Sequence, residues 1–219
     1  MSYKAWKVNN AAEVNIIVDK PAKNVYDNHR KQLWKRDMYM GLAQERIYTI
    51  EDIYELPEGK RAELIDGCIY DIAPHNLLHQ KIVHFLDKTI GNYIDSKKGN
   101  CEVLPAPFGV FLNKDDRNYM EPDISVICDK DKLSEKGCHG APDWIIEVVS
   151  PSSKRMDYLV KPVKYESAGV CEYWIVDSKS NTVHCHNFEN KTMETYSLAY
   201  KIPVGIYEDF TIDFSTLEL

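Results

Sequence analysis

Two acidic side chains set among Ile and Val are the residues of this chain best placed to do chemistry. Asp123 lies in Glu121-Pro122-Asp123-Ile124-Ser125-Val126-Ile127, and Glu147 in Asp143-Trp144-Ile145-Ile146-Glu147-Val148-Val149-Ser150. Both runs have the length and β-branched make-up of strands. A carboxylate buried in a strand is costly unless it is paired or holds a cation. Side chains alternate along a strand, so Asp143 and Glu147 share a face but stand about 13 Å apart. Oxygen ligands of a divalent cation lie at about 2.0–2.6 Å, so one ion cannot bridge that gap. Glu147 needs its partner from another strand, and Asp123 is the natural candidate. Around Mg²⁺ or Mn²⁺ these two acids would activate a water and neutralise charge in an in-line displacement at a phosphodiester. The backbone carbonyl of Val148 would add a further ligand. The alternative is structural: Asp123 ends a turn after Pro122, and Glu147 pairs with a nearby lysine.

The elements that must position these acids are legible in part. Thr49-Ile50-Glu51-Asp52 has the form of a capped helix start, ending near Leu56-Pro57-Glu58-Gly59. Ala62 to Tyr70 predicts a β-hairpin closed by Asp66-Gly67. From Asn76 to about Tyr93, Leu78, Ile82, Phe85, Leu86, Thr89, Ile90 and Tyr93 form a helical stripe, with His79 at its flank. Three strands are expected at 102–112, 121–128 and 143–150, with a charged loop between the last two. Met156, Leu159, Val160 and Val163 repeat at i, i+3, i+4 and i+7, predicting a helix over 154–168 with Gly169 as its C-cap. Glu172 to Asp177 is a further strand, and tyrosine-rich β-hairpins finish the chain. The core order is helix, three strands, helix, strand, an α/β class with a mixed central sheet. Residues 46–219 make one domain. Residues 1–45 are an N-terminal extension, with a short strand at Val14–Val18 and a charged stretch from Asn28 to Arg36, suited to a protein partner.

The 219 residues carry 44% apolar and 28% charged side chains, ordinary values for a globular protein. A net charge of −7 argues against binding nucleic acid through bulk electrostatics, though a local basic patch or a divalent cation would offset it. No leader and no apolar run near membrane-spanning length is present, and the six cysteines include no C-x-x-C pair. The expectation is a cytoplasmic, non-membrane protein with reduced thiols.

Beyond these features, Glu63-Leu64-Ile65-Asp66-Gly67, His79, Pro122-Asp123, Ala141-Pro142-Asp143, Glu147-Val148 and Ser150-Pro151-Ser152-Ser153 resemble the Uma2 family. So do Asp157, Lys161, Tyr165 and the run Gly169 to Asp177. The resemblance covers about residues 45–215 and implies a restriction-endonuclease-like core of the PD-(D/E)xK type, with DNA as substrate. It places the family's two acids on Asp123 and Glu147. The lysine that usually follows two residues after the second acid is replaced by Val149, and the family's helical lysine falls on Lys161. A lysine there would orient the attacking water and steady the phosphate charge. The alternative for Lys161 is an exposed i, i+4 pair with Asp157. Pro162 means that the helix either kinks or begins at this point.

Glu63 fits the family's upstream glutamate, as a second ligand or as a surface charge. His79 would touch substrate or a metal-bound water, or sit as a satisfied histidine at the core edge. Tyr165 would hydrogen-bond an acid of the site, or simply pack. His184-Cys185-His186 and Cys138-His139 lack the spacing of a zinc site. Lys130, Lys132, Lys136, Lys154 and Arg155 would line a phosphate-facing rim or form a solvated loop. The aromatic residues suit strand packing better than base stacking. Cutting two strands would suit a homodimer. The rival function is a catalytically inactive nuclease-fold protein acting in binding or regulation.

Overall fold

Helix α1 (Ile50–Tyr54) opens the computed structural model, which describes residues 46–217. The Thr49 backbone N–H donates to the Asp52 carboxylate at 2.8 Å, as the capping pattern requires. Strands β1 (Ala62–Ile65) and β2 (Cys68–Asp71) form the expected antiparallel hairpin. Its turn holds Asp66 and Gly67 at φ of 52° and 78°, the left-handed pair that a two-residue hairpin favours. Helix α2 (Leu77–Ser96) is capped by the Asn76 side chain, which accepts from the His79 N–H at 2.9 Å. Its buried stripe is His79, Ile82, Val83, Leu86, Ile90 and Ile94. His79 thus lies within the stripe rather than beside it.

The single strand expected over 102–112 is two, β3 (Glu102–Pro105) and β4 (Val110–Phe111). Pro105 and Pro107 lie at the break, and neither has an N–H for a ladder. Strand β5 (Ile124–Ile127) follows. The charged loop after it contains two unpredicted short strands, β6 (Leu133–Ser134) and β7 (Gly137–His139). These join β4 in a separate three-stranded sheet. Strand β8 (Trp144–Val148) then leads to a π-helical turn, Met156–Val160, and to helix α3 (Lys161–Ala168). Pro162 lies where the π-helical turn passes directly into α3, a widened turn that accommodates a residue with no N–H to donate. Gly169 ends the helix at φ 95°, as expected. The apolar repeat of this segment is split: Leu159 is 67% and Val163 63% exposed, while Met156 and Val160 pack half-buried against the core. Asp157, Lys161 and Tyr165 are its buried residues.

Strands β9 (Glu172–Asp177), β10 (Thr182–Asn187), β11 (Thr192–Ser197), β12 (Lys201–Pro203) and β13 (Thr211–Asp213) complete the chain. The central sheet runs β11-β10-β9-β8-β5-β3, antiparallel except where β8 meets β9. Alternation divides its strands between two cores. On one face Val126, Trp144, Ile146 and Trp174 pack with α2 and with Ile202, Ile212 and Phe214. On the other, Ile127, Ile145, Tyr173 and Ile175 pack with Tyr165, Val110 and Met120.

One expectation about the cysteines is corrected. Cys101 and Cys128 form a disulfide, because the β3–β5 register that sets Glu102 opposite Ile127 brings the next pair together. Cys68, Cys138, Cys171 and Cys185 are free thiols. Among the described residues no helix is long and apolar enough to cross a membrane. The strand at Val14–Val18, the charged stretch Asn28–Arg36 and the partner role assigned to residues 1–45 lie outside the described residues.

Candidate active site

The β5–β8 pairing sets Ile124 against Ile146, so continuing the register by one residue brings Asp123 to Glu147. The two acids nevertheless face different partners. Asp123 accepts the Val148 N–H at 2.7 Å on Oδ2, and His79 Nε2 lies 3.1 Å from the same oxygen. Glu147 accepts from Lys161 Nζ at 2.8 Å and from the Tyr165 hydroxyl at 2.9 Å, both on Oε1. Lys161 also donates to Glu63 Oε1 at 3.0 Å and stands 3.6 Å from Asp157. Glu63 is brought in by the first hairpin. Leu64 exchanges backbone hydrogen bonds with Tyr119, and the Glu121 N–H donates to Glu63 at 3.2 Å. The structure therefore gathers Glu63, His79, Asp123, Glu147, Lys161 and Tyr165, all buried, from four elements and one loop. Lys161 is 4% exposed, which removes the reading of a solvated surface pair.

Burial dominates the electrostatics. It pushes the Glu147 carboxyl well above the usual range; Lys161 opposes this, while Asp157, Asp123 and Glu63 add to it. Burial likewise raises Asp157. For Lys161 burial works against the charge, but Glu147, Glu63 and Asp157 outweigh it and hold the ammonium well above the usual lysine range. Lys161 is thus a fixed cation and a hydrogen-bond donor, not a proton acceptor near neutrality. Burial keeps the Tyr165 phenol protonated, so it too donates.

Of these, Glu63, Asp123, Glu147 and Lys161 border a cleft of about 170 Å³, lined also by His75, Val148, Ser150 and Ser153, while His79, Asp157 and Tyr165 support them from outside its lining. His75 was not singled out in the sequence. Its ring stacks on that of His79 with centroids 3.8 Å apart, and its Nε2 lies 3.9 Å from Asp123 Oδ1. Burial, and next the neighbouring His79, lowers its pKa. The available signal was the i, i+4 spacing of two histidines across a helix start. Asp157 was named as part of the family resemblance and as the i, i+4 partner of Lys161, and its burial was not legible from the apolar repeat around it.

The other candidates lie elsewhere. Lys130 pairs with Glu102, Lys132 donates to the Ala141 carbonyl, Lys136 lies over Tyr54 and Lys154 pairs with Asp177. None of these, nor Arg155, lines the cleft. His184 approaches Thr195, His186 stacks near Tyr173 and His139 stacks on Phe111. Among the described residues the one grouping of metal-ligating type is His75, His79 and Asp123.

Comparison with known proteins agrees with this fold. A solved structure described as a putative nuclease belonging to DUF820, from Anabaena variabilis, superposes with a TM-score of 0.64 at 20% identity. The match covers 77% of this chain and 96% of that one, and so shares the fold. An uncharacterized protein of Synechocystis sp. is 28% identical over 104 residues, 48% of this chain and 53% of its own length. The aligned part thus spans about half of that relative. The model of the Uma2 family, described as putative restriction endonuclease, matches residues 50–201. That span holds every residue of the cleft, and the chain belongs to the Uma2 family.

Proposed function

We propose that this chain is a divalent-metal-dependent endonuclease hydrolysing phosphodiester bonds in DNA. The observation that carries the reading is a charge imbalance. Glu63, Asp123, Glu147 and Asp157 are buried carboxylates around a single buried ammonium, Lys161. Buried charge of one sign is expensive unless a cation joins it. An oxygen-rich, cation-poor group of this kind suits Mg²⁺ or Mn²⁺. Asp123 and Glu147 would hold the ion, with the Val148 carbonyl beside them. Bound there, the ion would supply Lewis-acid neutralisation of the phosphate and a more acidic water.

The chain's own groups have separable tasks. Lys161, held as a cation, donates to a phosphate oxygen or fixes the water; it does not take the water's proton. Tyr165 and Lys161 both donate to the same oxygen of Glu147, which fixes that carboxylate and leaves its other oxygen toward the cleft for the ion. Glu63 anchors the far side of the ammonium.

The test is supercoiled plasmid incubated with Mn²⁺ or Mg²⁺, beside Asp123→Ala and Glu147→Ala. Cutting by the wild-type chain alone supports the reading and both ligand assignments. Equal cutting by all three rejects the assignments. Loss of both cutting and metal binding in the wild type favours the inactive, binding scaffold. Direct linearisation without nicked intermediate would indicate paired sites, as in a homodimer.

A further inference from the structure

Three donor atoms of this cleft converge without being needed to hold each other. His75 Nε2 and His79 Nε2 face the two oxygens of one carboxylate, Asp123, at 3.9 and 3.1 Å. The longer of these is beyond hydrogen-bonding range, so no shared proton explains the placement of His75. Nor does fold stability call for it: the ring is only partly buried and projects from the loop before α2. The two rings stack within 15° of parallel, so protonating both would set like charges face to face. One donor atom from each of the three residues lies within 4.8 Å of the others. Ligands about 2.1 Å from one ion stand roughly 3.0–3.5 Å apart in octahedral or tetrahedral geometry. The His79 spacing of 3.1 Å falls in that range, and the His75 spacing of 3.9 Å lies a few tenths of an ångström above it.

We infer that His75 and His79 are nitrogen ligands which, with Asp123, make the cleft select a borderline divalent transition ion, Co²⁺, Ni²⁺ or Zn²⁺, over Mg²⁺. Imidazole suits such ions, whereas Mg²⁺ demands oxygen and keeps its waters. The inference rests on the reading of Asp123 as a metal ligand and goes beyond it by naming the class of metal. It also gives the sequence a reason for its second histidine. His79 arrives on the first turn of α2 and His75 from the loop before it, a placement set by the Asn76 cap between them.

The test measures binding rather than cleavage. The full chain is titrated with CoCl₂, followed by visible absorption, and with MnCl₂ and MgCl₂ by calorimetry. Wild type should bind Co²⁺ at least about tenfold more tightly than Mg²⁺, with Mn²⁺ between the two. His75→Ala and His79→Gln should each weaken Co²⁺ binding about 10–100-fold while leaving Mg²⁺ binding unchanged. Equal affinities for Co²⁺ and Mg²⁺ in wild type would overturn the inference. So would variants that bind Co²⁺ like wild type, or that lose both ions in parallel, as a histidine merely orienting Asp123 would cause. If the buried His79→Gln fails to fold, His75→Ala, whose side chain is 21% exposed, decides the matter alone. Histidine-dependent Co²⁺ binding with intact plasmid would keep this inference and reject the nuclease. Undiminished Co²⁺ binding in variants that still cut with Mg²⁺ would do the reverse.

Discussion

Lys161 shows how one side chain serves stability and chemistry together. Its ammonium is hydrogen-bonded to Glu147 and Glu63 and lies near Asp157, with almost no solvent contact. Breaking a buried pair from one side leaves the other charge uncompensated, at a cost of about 3–5 kcal/mol. Lys161→Met is therefore expected to lower stability by about that amount in urea melts and to reduce plasmid cutting about 100-fold or more. Tyr165→Phe removes one of two donors to Glu147 and leaves the ammonium, so its stability cost should be about 1 kcal/mol. A Lys161→Met chain as stable as wild type would mean that the three carboxylates are neutral when the cleft is empty of cations. Added Mn²⁺ separates the two contributions: it should restore much of the lost stability and little of the cutting, because it replaces charge but not the donor.

At the scale of elements, Asp177 joins the π-helical turn to the end of β9. It accepts from Lys154 Nζ at 2.9 Å and from the backbone N–H groups of Lys179 and Ser180, and Tyr158 reaches the same carboxylate. Burial alone would raise its pKa, but the hydrogen bonds from Lys154 and Ser180 outweigh it and hold the group at about 2, below the ordinary 3.8. A folded-state pKa below the unfolded one adds stability that is complete above about pH 4 and is lost as pH falls through about 2. Discounted for the exposed lysine, the contribution is about 1–2 kcal/mol. Asp177→Asn should thus be less stable than wild type at pH 6, and the gap should close between pH 4 and pH 2; a gap constant with pH would reject the linkage. The same turn explains where sequence patterning stopped working. The stripe of α2, the Asp-Gly hairpin and the Gly169 cap were legible because local chemistry and burial agree there. In 156–168 they disagree: the buried positions are the charged and phenolic ones, so hydrophobic periodicity does not mark the buried face. The β6–β7 ribbon was hidden because its strands are two and three residues long and it joins a sheet only through β7 and the distant β4.

Across the whole molecule, the sheet register is what turns scattered acids into one site. Asp123 and Glu147 were recognisable as a pair from strand patterning, but Glu63, His75 and Asp157 come from separate elements that periodicity could not bring together. Every residue of the cleft nevertheless falls between Glu63 and Tyr165, and both hydrophobic cores are built from residues 65–217. Residues 46–219 form a compact unit by themselves, and the family match begins at residue 50. A chain starting at Arg46 should therefore fold cooperatively, with a urea midpoint close to that of the full chain, and bind Mn²⁺ with the same affinity. The net charge of −7 sharpens the comparison, because on the proposed function the domain brings a polyanion to an acidic cleft. Cutting by both chains should fall with added salt, as it must for any enzyme that displaces counterions from DNA. An equal salt slope would locate the phosphate contacts in the domain. A shallower slope for the shorter chain, with metal affinity unchanged, would assign part of the DNA contact to residues 1–45. Loss of metal binding on truncation would instead show that the cleft depends on the extension, and would reject the division of the chain at residue 46.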